Sequence, residues 1–165
     1  IHINIQDGAG LTFSSSGNIT LDNLTTTGNV YVRNSGPSAA SSILAASGAS
    51  LITANGAAFK TDGAGGGGSI GTIGTSIRLT LTEGFKSSAQ SGGACFASPS
   101  GGINLGAASL IPLAGPGGAE TIAGGPFQLT ANGPITQSEA TSFTCAATLS
   151  AGGAKGLEIN NIYNS

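Results

Sequence analysis

Large apolar residues recur along this chain at every second position. Ile1, Ile3 and Ile5 alternate with His2 and Asn4, Ile19 and Leu21 flank Thr20, and Val30 and Val32 flank Tyr31. Ile77, Leu79 and Leu81 alternate with Arg78 and Thr80, and Leu157 and Ile159 enclose Glu158. Such alternation puts the large side chains of each stretch on one face, the pattern of a half-buried β-strand. The runs are short and are closed by Gly, Asn, Asp or Ser, which favour turns. No longer stretch keeps a helical period; the Ala-rich run 39–49 comes nearest, and its serines and Gly48 oppose a helix.

The turns repeat along with the strands. Gly17-Asn18-Ile19-Thr20-Leu21 returns as Gly28-Asn29-Val30-Tyr31-Val32, and Gly125-Pro126-Phe127 returns as Gly133-Pro134-Ile135. The stretch 49–56 resembles 127–133 in the same way. Turn–strand units every ~8 to 12 residues suit a sandwich or a solenoid, and degenerate self-similarity favours the solenoid. Two or three units per coil give ~20–25 residues, hence roughly seven coils stacked at ~4.8 Å, about 35 Å in all. The predicted fold is therefore all-β, a right-handed parallel β-helix forming a single module over 1–165, with a β-sandwich as the alternative. The stretch 83–120 has long Gly/Ser/Pro spacers and weak alternation, so loops or an insertion protruding from the stack are expected there.

Composition narrows the function. Gly, Ala, Ser and Thr make up 91 of 165 residues, only 12 residues are charged, and the formal net charge is −2. Five scattered cations cannot build the basic face that a nucleic-acid partner needs. No apolar run approaches the ~20 residues of a membrane-spanning helix. A mean hydropathy of +0.22 with so little charge favours collapse over disorder. No basic-then-apolar leader opens the chain, so any export signal is expected outside these residues.

The paired motifs just quoted, with Gly68-Ser69-Ile70-Gly71-Thr72-Ile73-Gly74-Thr75 before Ile77-Arg78-Leu79, resemble the repeats of secreted adhesins of the filamentous haemagglutinin type. Gly133-Pro134-Ile135-Thr136-Gln137-Ser138 and Leu157-Glu158-Ile159-Asn160-Asn161 carry the same resemblance. It implies a right-handed β-helix exported by a bacterium through a two-partner or autotransporter route and displayed at the cell surface. It brings no catalytic residues and no cofactor. The expected activity is structural: a repeat module of an extracellular fibre or adhesin, its partners further copies of itself and a surface glycan or protein. A carbohydrate-binding or carbohydrate-cleaving β-helix is the alternative.

Neither end carries a capping helix, and joining the C-terminal pattern to the N-terminal one gives unbroken alternation. End-to-end stacking is therefore expected through Ile1, Ile3, Ile5, Leu157, Ile159, Ile162 and Tyr163, in a tandem array or head to tail. Cys95 and Cys145 lie 50 positions apart. Export would permit a disulfide, but bridging requires Cα atoms within about 7 Å, so two unlinked thiols stand beside it as the alternative.

Other candidate chemistry is weak. Gly63, Gly65 and Gly68 spell GxGxxG, but no helix is expected after them to face a pyrophosphate, so a corner is the reading. His2 lacks nearby ligand types for a metal. Asp7, Asp22, Asp62, Glu83, Glu120, Glu139 and Glu158 stand singly and are read as solubilising charges rather than a catalytic pair. Asn18 and Asn23 begin formal glycosylation sequons and are read as strand and corner residues. Thr25-Thr26-Thr27 and the alternation around Thr80 hint at a threonine-lined face, without the strict repeat that an ice-binding ladder requires.

Overall fold

In the computed structural model, residues 2–7, 10–37, 41–62, 68–89, 92–106, 120–122, 125–139, 141–143, 145–159 and 162–164 are described. The strands are β1 (His2–Asp7), β2 (Leu11–Ser15), β3 (Ile19–Thr26), β4 (Val30–Asn34), β5 (Ile43–Ala45), β6 (Leu51–Thr61), β7 (Ile77–Ala89) and β8 (Ala94–Ser98). They continue with β9 (Ile103–Leu105), β10 (Glu120–Ile122), β11 (Phe127–Ala131), β12 (Ile135–Gln137), β13 (Thr141–Phe143), β14 (Ala147–Ala151), β15 (Leu157–Glu158) and β16 (Ile162–Asn164). Thirteen form one open sheet whose main path runs β1-β3-β6-β7-β8-β11-β14, and β10-β13-β16 form a second.

Every pairing between these strands is parallel. Among the described residues no two consecutive strands form an antiparallel hairpin, the unit from which a sandwich is usually assembled. The arrangement is compatible with a β-solenoid. One inward position passes through Ile19, Ile43, Ile70, Ala94 and Phe127, each opposite the next, and the register continues to Ala147, exposed on the edge strand β14. A second runs Leu24, Ile52, Leu79, and a third Leu11, Val30, Ala57, Phe85, Leu105.

The repeated motifs find their meaning in this register. Gly-Asn at 17–18 and at 28–29 lead into β3 and β4, which lie on different ladders, so that echo marks successive corners rather than successive layers. Pro126 and Pro134 likewise precede β11 and β12; each lacks an N–H, while its carbonyl accepts from Ala94 or Ile103 at 2.9 Å.

Buried aliphatic side chains fill the interior, with aromatic rings running through its middle. Phe96 lies 5.4 Å from Phe59 and 4.8 Å from Phe85 between ring centroids; Phe127 follows at 6.0 Å and Phe143 at 5.5 Å beyond it. The tilted geometry suits ring quadrupoles.

The expectation of loops over 83–120 is corrected for its first part. β7 runs unbroken to Ala89, and β8 and β9 join the same sheet. The alternation was faint because several inward positions here hold small residues: Ser87, Ala89, Ala94 and Ser98 are all buried. Gly84 supplies the bend inside β7, at φ +152°, where a Cβ would run into the carbonyls of Gly106 and Asn104. The remainder, 107–119, lies outside the described residues.

Among the described residues two protrusions leave the stack. Between Ala45 and Ser50, and again between Ile70 and Ile77, the chain turns outward and returns. The second is closed by reciprocal backbone bonds between Thr72 and Thr75 at 3.0 and 3.1 Å, with Gly71 at φ +66° and Ile73 82 % exposed at its tip. Arg78 Nη1 donates to the Gly48 carbonyl at 3.0 Å, tying the first protrusion to β7.

Candidate functional site

The predicted stacking residues fall at the two outer edges of the ladder. Among the described residues β1, which carries Ile3 and Ile5, pairs only with β3, and β2 only with β4. At the other edge, again among the described residues, β14 pairs only with β11, β15 with β12, and β16, carrying Ile162 and Tyr163, with β13. Ile1 lies outside the described residues. Parallel strands at an edge present unpaired N–H and C=O groups along one side. The second edge also shows apolar surface: Leu157 is 52 % exposed, and Leu149, Ala151 and Ile159 are only half-buried against the core.

Between the edges, polar corner residues stitch each layer to the next. Asn18 Oδ1 accepts from the Ser42 N–H at 2.8 Å, and Asn23 Oδ1 from the Leu51 N–H at 3.1 Å. Both sequon asparagines thus use their amide oxygens across layers. Asn55 Nδ2 donates to Asn29 Oδ1 at 3.0 Å and Glu83 Oε2 at 3.1 Å, while Asn55 Oδ1 accepts from the Thr82 hydroxyl at 2.7 Å. Asn104 Nδ2 continues the chain to the Glu83 carbonyl and to Ser138 Oγ. Asn34, fully buried, donates to the carbonyls of Gly17 and Ser42 and accepts from the Gly36 N–H.

Four of the single acids, Asp22, Asp62, Glu83 and Glu139, work across layers rather than merely solubilising the surface. Asp22 accepts from Ser50 Oγ at 3.0 Å. Glu139 meets Lys86 at 3.0 Å, and that lysine side chain is only 4 % exposed. Asp62 receives Arg33 through Nε and Nη2, at 2.8–3.1 Å, with Lys60 Nζ at 3.3 Å. Burial pushes the Asp62 carboxyl up, but the hydrogen bonds and charges of Arg33 and Lys60 outweigh it and hold the group below its usual range. Among the described residues no three His, Cys, Asp or Glu side chains gather where a metal could sit.

Cys95 and Cys145 are not joined in a disulfide. Cys95 stands on β8 and Cys145 just before β14, with β11 between those strands. Two ladder steps of ~4.8 Å exceed the reach of a disulfide. Burial raises both thiol pKa values, opposed at Cys145 by a backbone hydrogen bond from Phe127. Of the GxGxxG glycines, Gly68 is described: its carbonyl accepts from the buried Thr61 hydroxyl at 2.9 Å. The other two, at 63 and 65, lie outside the described residues. The His2 backbone belongs to β1. Thr25, Thr53 and Thr80 do align on adjacent strands, a match 27 or 28 residues apart that local sequence reading missed.

Against known proteins, the chain matches no family model, no curated protein and no solved structure.

Proposed function

We propose that this chain is a right-handed parallel β-helix module of about seven coils, a structural segment of an extracellular bacterial fibre or surface adhesin. Its coils continue end to end with those of neighbouring copies, in tandem or head to tail. The observation that carries the reading is the continuous register column from Ile19 to Ala147, buried as far as Phe127, whose successive members lie 20 to 33 residues apart. β1 adds one layer before it. Spacing of that kind suits a chain that winds once per layer.

Two further features support it. The edge strands share one polarity, so the donors and acceptors of one edge complement those of the other, a heterologous contact that propagates rather than closes. A net charge of −2 on 165 residues leaves little repulsion to oppose close approach. Side-chain stitching through asparagine, with no cofactor or metal in the reading, suits a rod that resists unwinding.

Sedimentation and negative-stain imaging of the 165-residue protein over a concentration series test this. Head-to-tail growth gives rods that lengthen with concentration, and Ser150→Lys with Leu157→Lys shortens them without lowering the melting temperature. A uniform 15.8 kDa particle at the highest concentration sinks the self-assembly reading.

A further inference from the structure

Charge is scarce in this chain, yet three of its twelve charged side chains meet at one place on the outer surface of the β2–β4–β6 ladder. Register sets Tyr31 between Thr12 and Ala58, and Arg33 between Ser14 and Lys60. The intervening Val30, Val32, Ala57 and Phe59 are fully buried, so Tyr31, Arg33 and Lys60 face outward. Asp62 engages the Nε–Nη2 edge of the guanidinium. Nη1 has no hydrogen-bond partner among the described residues, and the Arg33 side chain is 46 % exposed. The pair therefore fixes the guanidinium while its second donor edge faces solvent, so little rotamer freedom remains to be lost when an anion docks.

Tyr31 lies two residues along the same strand, partly exposed. Its cross-strand neighbours are short, Thr12 exposed and Ala58 buried. The cluster of Arg33, Lys60 and Asp62 carries one net positive charge. An aromatic face beside a fixed planar donor edge matches a ligand with an apolar C–H face and a carboxylate. We propose that this patch binds a carboxylate-bearing sugar of the uronic-acid class, the carboxylate on the Nη1–Nη2 edge of Arg33 and the pyranose ring against Tyr31.

Calorimetric titration of the 165-residue protein with tri-galacturonate tests it, with the neutral galactose trimer and sodium acetate as comparison probes. One tri-galacturonate per chain is expected to bind, with acetate and the neutral trimer silent at the same concentrations. Arg33→Gln and Tyr31→Ala should each weaken binding by about tenfold or more. Tyr31→Phe, which keeps the ring, should bind as the parent does. Melting curves establish that each variant is folded. Equal binding of the neutral trimer or of acetate, indifference to Arg33→Gln or Tyr31→Ala, or silence of the parent protein overturns the proposal. Sedimentation is read on the same samples, so loss of self-assembly and loss of sugar binding remain separate results.

Discussion

Phe96 is the side chain whose removal should cost this fold most. It is 1 % exposed and meets three rings, Phe59, Phe85 and Phe127, from three other strands. Truncation to alanine loses the transfer free energy of the ring and leaves a cavity that the surrounding strands, held at fixed spacing by their ladders, cannot close. Large-to-small aromatic changes of this kind cost about 3–5 kcal/mol, and the multiple ring contacts place Phe96→Ala near the upper end. For a chain of this size that corresponds to a melting temperature lower by about 10–15 °C. Phe13, half-buried on β2, provides the control: Phe13→Ala should cost only about 1–2 kcal/mol. Urea titration by circular dichroism reads both, with hydrogen exchange locating the damage. Amides of β8 and β11 should lose protection before those of β3. If Phe96→Ala costs less than about 2 kcal/mol, or no more than Phe13→Ala, the rings do not organise the interior.

Asn55→Ala removes a side chain that bonds to Asn29, Thr82 and Glu83, and should cost about 1–3 kcal/mol in the same titration, because its partners lose their bonds. Gly84→Ala forces a β-carbon toward two carbonyls at a left-handed φ and should cost about 2 kcal/mol or more; parent-like stability would contradict that bend. The depressed Asp62 pKa means the folded state holds this proton less tightly than the unfolded chain, so its contribution is present above the usual carboxylate range and is lost as pH falls through the lower folded value. Because Arg33 is about half-exposed, Asp62→Asn should cost no more than about 1 kcal/mol at pH 7, and its difference from the parent should shrink as pH falls through the folded value, as read by melting curves. Alkylation of the native protein should modify Cys145 before Cys95, and unfolding should release both thiols without reductant, as mass spectrometry will report.

The strand positions that alternate large and polar side chains were legible from sequence because the contrast is strong. Ile19, Leu21, Val30, Val32, Ile77 and Leu79 are all buried as that pattern demands. Legibility failed where inward positions are small, as at Ser87, Ala89 and Ala94, since alternation of small with small carries almost no signal. It failed again for contacts between layers. Arg33 and Asp62 are 29 residues apart, and Asn55 reaches 26 residues back and 28 forward. Layer lengths vary, so no fixed period in the sequence connects such partners, and only register reveals them. The aromatic file was hidden for the same reason: its members come from five strands with irregular separations.

The turn closed by Thr72 and Thr75 has a consequence for how such a chain can change. Ile70 and Ile77 stand opposite Ala94 and Phe96, so six intervening residues on one strand face a single residue on the other, and pairing resumes as though nothing had been added. Chain length is thus uncoupled from register at that point. A foreign peptide grafted between Gly71 and Ser76 would be held clear of the interior on a stiff support, and natural variation in length should collect there.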